Sequence, residues 1–363
     1  MKRAVNAVLV LVAALSWHSG ARAEPYIAVR EGFKCMVCHV NPTGGAMRNA
    51  FGLNYAQNLL PAEHVESVNT EAWSNMLDNL VTLGGDLRAA ATYTDIPHQS
   101  AQSAFETQEF RLYAAANVIP DRLMVYADER LAPGGALNEE AYARLIFGEG
   151  RYYLKAGQMY LPYGLRLEDD SAFIRAVPGI NMTTPDNGAE LGLEIDNWSA
   201  QFAASNGSAG GAETNQGKQA SLRGEYVSAG WRAGASYNYN DAKGGARRMQ
   251  NVFGGLRTGP LAWLAELDYV SDGSFKGGTR KFSAALLETN WNFRKGHNLK
   301  ATGEYLDPDT QVGNDQQVRW SLLWEWTPMQ FVQLRGGLRS YDGIPQNDLQ
   351  NRRTLFAELH GFF

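Results

Sequence analysis

Both cysteines of the 363-residue chain fall in one short run, Cys35-Met36-Val37-Cys38-His39. Two thiols one tight turn apart, followed at once by an imidazole, have a specific chemistry open to them. They can add to the two vinyl groups of one haem, and His39 can then swing onto the iron as proximal ligand. The same spacing also suits a C-x-x-C disulfide beside an incidental histidine. Zinc would want four ligands, and the chain has no second cysteine pair. The expected cofactor is one covalent haem c held by Cys35, Cys38 and His39.

The distal position of such a haem has several candidates. Met47 and His64 lie nearest along the chain, followed by Met76 and His98. After a turn at Asn41-Pro42-Thr43-Gly44-Gly45, the segment 46–60 places Met47, Phe51 and Tyr55 at i, i+4 and i+8. That spacing predicts one helix face, which would pack on a haem or equally on any apolar surface. Water or an empty sixth position also fits.

The N-terminus predicts export. Lys2 and Arg3 precede an apolar run over 4–17, and Ala21-Arg22-Ala23 presents small residues for cleavage before Glu24. An oxidising compartment is where paired thiols would not stay idle. Removing Lys2, Arg3 and Arg22 takes the net charge from −5 to −8. An acidic exported chain has no electrostatic case for nucleic acid.

The remainder must position the haem segment. No run beyond residue 23 is apolar enough to cross a bilayer as a helix, which takes about 20 residues. Short β-strands remain possible. From residue 83 onward the hydropathy has period two rather than 3.6. Leu191, Leu193 and Ile195 oppose Glu190 and Glu194; Trp320, Leu322 and Trp324 oppose Arg319, Ser321 and Glu325. About sixteen such segments are expected, the first over 83–94, the second over 106–118, the last over 352–363. Their connections predict a strict alternation of long loops and short turns, as in bacterial outer-membrane barrels. The fold class is therefore all-β, a transmembrane antiparallel barrel preceded by a small N-terminal α-helical haem segment. The expected divisions are 1–23, a signal peptide; 24–82, the haem segment, with room to form a plug; and 83–363, the barrel.

Further details fit a barrel. Trp198, Trp231, Trp291, Trp320, Trp326, Tyr152 and Tyr160 sit near strand ends, where interfacial aromatics belong. The chain ends in Phe362-Phe363, similar to the terminal signal of outer-membrane barrels. The longest loop, 162–187, either constricts the lumen, as the third loop of general porins does, or stands solvated outside. Its run Glu168-Asp169-Asp170 could attract a cation. Lumen-facing charges of both signs, among them Arg111, Lys155, Arg223, Arg335, Glu225 and Glu266, could anchor a plug or the haem propionates.

An export signal, one C-x-x-C-H and a porin-like barrel together resemble the fused monohaem cytochrome–porins of the outer membrane, which include iron-oxidising cytochromes. The sequence likeness lies in Glu24–Gln57: Pro25, Gly32-Phe33-Lys34, the C-x-x-C-H run, Pro42 and Phe51-Gly52. The iron oxidisers carry Pro-x-Leu-Thr-Pro-Phe-Gly-Arg, where this chain has Pro42-Thr-Gly-Gly-Ala-Met-Arg-Asn-Ala-Phe-Gly52, which leaves the donor and the direction of flow open. The resemblance implies an electron conduit across the outer membrane, with iron oxidation or reduction as its expected redox reaction. The implied partners are a periplasmic carrier such as a soluble cytochrome, an extracellular metal ion or other electron donor or acceptor, and outer-membrane lipid. The alternative is a diffusion porin gated or plugged by the haem-bearing segment.

Overall fold

The computed structural model describes residues 24–66, 76–77, 80–242, 244–275 and 278–363. The expected signal peptide, 1–23, lies outside the described residues. In each strand, alternate side chains point to opposite faces of the sheet. Here the alternating faces are unlike: the outer is apolar, the inner charged. Leu267, Leu287, Leu355 and Trp320 are 53–64% exposed on the outside, while Glu266, Glu325, Arg319 and Lys155 are buried inside. This inversion of a soluble core suits a wall with lipid outside it.

Sixteen antiparallel strands carry this pattern. They are β1 (Val81–Asp95), β2 (Gln102–Ile119), β3 (Leu123–Ala132), β4 (Leu137–Phe147), β5 (Tyr152–Met159), β6 (Asp186–Ile195), β7 (Trp198–Ser205) and β8 (Gln219–Ser228). The second half is β9 (Trp231–Ala242), β10 (Gly245–Thr258), β11 (Leu261–Asp272), β12 (Arg280–Arg294), β13 (His297–Asp307), β14 (Gln317–Met329), β15 (Val332–Asp342) and β16 (Arg353–Phe362). Each pairs with its neighbour in sequence, and β16 pairs with β1 through Arg353↔Asp95 to Phe362↔Asp86. The sheet closes and leaves no edge among these strands, so every ladder has a partner on both sides. A two-residue strand, Met76–Leu77, pairs antiparallel with the start of β1 through Met76↔Thr82 and Leu77↔Val81.

At one end the connections are all short, two to four residues. At the other they are mostly long, but not strictly so. The connection between β9 and β10 holds only two residues, because those strands pair from Trp231↔Leu256 out to Ala242↔Gly245. The β3–β4 connection holds four. The alternation is thus looser than expected, because strands rising beyond the apolar belt turn over in tight hairpins.

Aromatic side chains cluster outside near the short-turn end: Tyr226 contacts Trp198 edge-on at 5.0 Å and stacks on Trp231 at 5.2 Å. Tyr160 departs from the expected girdle. It is fully buried and accepts a hydrogen bond from Arg111 Nη1 at 2.7 Å, because it lies just past β5 where the chain turns inward. Phe362 is also buried, with the Arg48 guanidinium 4.7 Å from its ring centre.

The lumen is filled from both ends. Residues 24–66 enter from the short-turn end. They comprise α1 (Pro25–Glu31), a 3-10 turn (Cys35–Val37) and α2 (Ala50–Asn58). α1 carries Pro25 at its start, where a missing N–H costs nothing, and stops at Gly32 with φ +69°. The loop 160–185 folds inward from the opposite end and carries a single turn, α3 (Phe173–Ala176). Tyr26, Ile27, Val29, Tyr55 and Leu60 of the N-terminal segment meet Leu165, Leu167, Phe173 and Ile174 of the loop, with Phe253, Leu264 and Leu286 of the wall behind them. This apolar contact, removed from water, drives the packing.

Many buried charged groups at the wall are paired, which offsets the cost of burial. Lys155 Nζ lies 3.1 Å from Glu190 Oε1, and both are fully buried. Two carboxylates of the long-loop run are taken up by wall arginines, while Asp170 accepts from the Met182 backbone N–H. Glu168 pairs with Arg88 and with Arg335 (3.0 Å), and Asp169 pairs with Arg319 (3.0 Å) and Arg339 (2.9 Å). Among the described residues, no group of three or more His, Cys, Asp and Glu side chains is placed to hold a metal ion.

Candidate functional site: a lumen cavity between plug and loop

The C-x-x-C-H run is shaped by the residues after it. His39 and Arg48 form an isolated antiparallel bridge, which folds the Gly44-Gly45 turn back on the motif. α2 then begins at Ala50, not at 46, because Asn49 caps it by accepting from Gly52 N at 2.9 Å. The same Asn49 donates to the carbonyls of Met36 and Val37, both at 3.0 Å. One side chain thus starts the helix and ties it to the 3-10 turn bearing the cysteines.

Gly52 allows the closest approach. A Cβ there would stand 2.8 Å from the Cys38 carbonyl carbon and 2.9 Å from its Cα, closer still to the oxygen. Those are backbone atoms and cannot swing aside. Gly52→Ala is expected to push α2 off the motif, with an overpacking cost of about 1–3 kcal/mol. Limited proteolysis tests this: cleavage within 24–66 should become faster in the variant while the barrel stays intact. Equal cleavage rates would refute the steric argument.

Around this motif lies a cavity of about 540 Å³, within the size range of ligand pockets. Cys35, Cys38 and His39 all line it. The two thiols are free. Burial pushes the Cys38 thiol up to about 11, with the neighbouring Cys35 adding to the shift. His39 is lowered to about 4, first by burial and then by the Arg48 cation, so its imidazole is neutral at ordinary pH. Its Nδ1 is buried without a hydrogen-bond partner.

Ten cationic side chains line the cavity against seven carboxylates. Nine of the ten are paired with carboxylates of the loop, wall or lumen, and Arg166 is the one without an ion pair among the described residues. Arg232 approaches Cys35 Sγ at 3.6 Å, and Arg166 donates to Thr43 Oγ1 at 2.9 Å, joining loop to plug. Apolar walls come from Ile27, Phe33, Ala56, Leu60 and Leu165. Two free thiols, a neutral imidazole, apolar walls and the Arg166 guanidinium together suit a flat apolar macrocycle bearing carboxylates. The residues present fit a covalent haem.

Barrel side chains pin the plug. Asn41 Nδ2 donates to Glu140 Oε1 at 3.0 Å, Arg144 donates to the Val40 carbonyl, and Lys34 pairs with Glu194 at 3.2 Å. Glu24 pairs with Lys300.

The two distal candidates nearest the motif along the chain, Met47 and His64, do not line the cavity. Met47 precedes α2 and is buried with Tyr113, Met124, Tyr126 and Met159 against the wall, and does not itself line the cavity. It therefore does not share a helix face with Phe51 and Tyr55. His64 is exposed at the short-turn rim, 2.8 Å from Gln330 Nε2. The methionine and histidine that line the cavity from outside the motif, Met182 and His360, were not among the sequence candidates for the distal position. No local signal could have flagged them, since they lie far along the chain.

No protein-family profile matches the chain, and no curated protein sequence matches it. Solved structures do. The anion-selective porin from Comamonas acidovorans is similar at a TM-score of 0.63 and 11% identity, over 78% of this chain and 99% of its own. OmpT of Vibrio cholerae, as its loop L8 deletion mutant, is similar at 0.62 and 12%, over 78% and 99%. OprB of Pseudomonas putida in its high-pH structure is similar at 0.62 and 11%, over 84% and 99%. At such identities the likeness is one of fold: the chain has the closed sixteen-strand barrel of porins.

Proposed function

We propose that the chain is an outer-membrane barrel whose lumen plug carries one covalent haem c and passes electrons across the bilayer. The observation that supports this best is the shared wall of Cys35, Cys38 and His39 on a guanidinium-rich cavity inside the barrel. A hydrocarbon core of about 30 Å bars soluble carriers from exchanging electrons directly. A haem would supply one-electron chemistry there, while the protein sets its position and surroundings. Cys35 and Cys38 would anchor it, His39 would ligate the iron, and Arg166, the lining arginine without an ion pair among the described residues, would pair with a propionate. The plug sits at the short-turn end, where a soluble periplasmic carrier would dock. The loop side would face an extracellular donor or acceptor such as a metal ion.

A second reading keeps the barrel as a diffusion channel gated by the plug. The likeness to an anion-selective porin favours it, as does the cationic lining of the cavity. The plug's packing between loop and wall speaks for a closed lumen.

The two readings separate in oriented liposomes. A membrane-impermeant Fe(II) chelate is added on the loop side, and haem absorbance and ion leakage are followed together. Rapid haem reduction with little leakage is expected. Haem that stays oxidised in a freely conducting barrel would refute the conduit and leave the gated channel.

A further inference from the structure

The thiols line the cavity, and so does one soft donor from another segment. Met182 belongs to the inward loop and lines the same cavity as Cys35, Cys38 and His39. Its Sδ lies 2.9 Å from where a Cβ on Gly45 would stand. The backbone of Gly45 and Ala46 also borders the His39 ring. Thioether and imidazole thus reach the same stretch of plug from two segments far apart in sequence.

The backbone of Met182 is held on both sides. Its N–H donates to Asp170 Oδ1 at 3.2 Å, and its carbonyl accepts from Arg111 Nη2 at 3.3 Å. The next residue is fixed too, with Thr183 N donating to Asn181 Oδ1 at 2.9 Å. The competitors are committed elsewhere. Among the described residues, no other methionine lines the cavity; Met47, Met124 and Met159 share one apolar cluster, and Met249 lies in another. His360 does line it, but its Nε2 lies 2.6 Å from Asp86 and its Nδ1 3.3 Å from Gln333, so both ring nitrogens are engaged.

The geometry points to Met182 as the second axial ligand of a haem held by His39, supplied by the barrel's loop and not by the plug. This inference rests on the haem reading above. A soft thioether favours the reduced iron and raises the potential. Ligation from the loop would also clamp the plug against the barrel, so haem loading and lumen closure would be linked.

The test uses full-length protein matured with a c-type assembly system. Met182→Leu keeps the side-chain volume, and such swaps usually cost less than about 1.5 kcal/mol. Met182→His offers a replacement ligand. Wild type should be low-spin and show the red charge-transfer band of sulfur-ligated ferric haem. Met182→Leu should lose the band, become high-spin, bind carbon monoxide when reduced, and shift to a lower potential. Met182→His should regain the low-spin state without the band, while Met47→Leu and His64→Ala should match wild type. A Met182→Leu protein with the wild-type spectrum and potential would overturn the assignment, as would a wild type that is already high-spin. Wild type without covalent haem would overturn the electron-transfer reading itself, a failure read directly from haem staining.

Discussion

Changing Cys35 and Cys38 together to alanine is expected to abolish covalent haem and reduce transmembrane electron transfer to that of protein-free vesicles. The cause is chemical, not structural. A haem without thioether links can dissociate, and no other cysteine exists to replace them. The fold should survive, because the thiols form no disulfide and the plug is held by Asn41–Glu140, Lys34–Glu194 and Glu24–Lys300 pairs that the change does not touch. Haem staining of a denaturing gel reads the first effect, and dye reduction inside vesicles reads the second. The barrel's resistance to unfolding in mild detergent is the control. Retained electron transfer in the double variant would refute the conduit. Retained staining would refute the attachment chemistry.

Deleting residues 24–66 is expected to open the lumen. A barrel of sixteen strands leaves an aqueous channel when nothing fills it. The closed ladder from β1 to β16 does not pass through the plug, so the wall should still assemble. The opening should be partial, because the inward loop stays tied to the wall by Asp169 to Arg319 and Arg339 and by Glu168 to Arg335. The channel should prefer anions. Deletion removes Lys34 and Arg48 from the lining but also Glu24, so cations remain in excess. Single-channel steps in planar bilayers should rise from near closure by about tenfold or more, given the lumen such barrels enclose. The reversal potential in a salt gradient should show the anion preference. Unchanged conductance would mean that the plug does not seal the full chain.

The two experiments probe different halves of the molecule. The first removes the redox chemistry and keeps the lumen closed. The second opens the lumen and removes the redox centre with the plug. Ion flow restored by the cysteine change alone would show that the haem itself, and not the packing of α1 and α2, holds the plug in place.

Much of the wall was legible in the sequence, because lipid and lumen impose opposite demands on alternate residues. Glu190–Ile195 and Val318–Trp326 show that pattern in the sequence, and burial along β6 and β14 follows it. The start of β2 was not legible. Gln102 to Glu106 are exposed on both faces where the hairpin rises beyond the apolar belt, so no alternation marks them. Tyr160 was misplaced for a related reason: a strand-end aromatic looks the same in sequence whether the chain then leaves the barrel or turns into it.

The chain's local order determined what is covalent and what is periodic. The C-x-x-C-H spacing, the period-two strands and the capping and breaking residues act over a few neighbours, so they can be read without the fold. The tertiary structure decided what meets what. Met47 and His64 are close to the motif along the chain but face the wall and the rim. Met182, Arg232 and His360 are remote in sequence but line its cavity. Those meetings depend on barrel closure, strand register and the inward fold of one loop. Each is set by contacts summed over the whole wall, and no short stretch of residues encodes them.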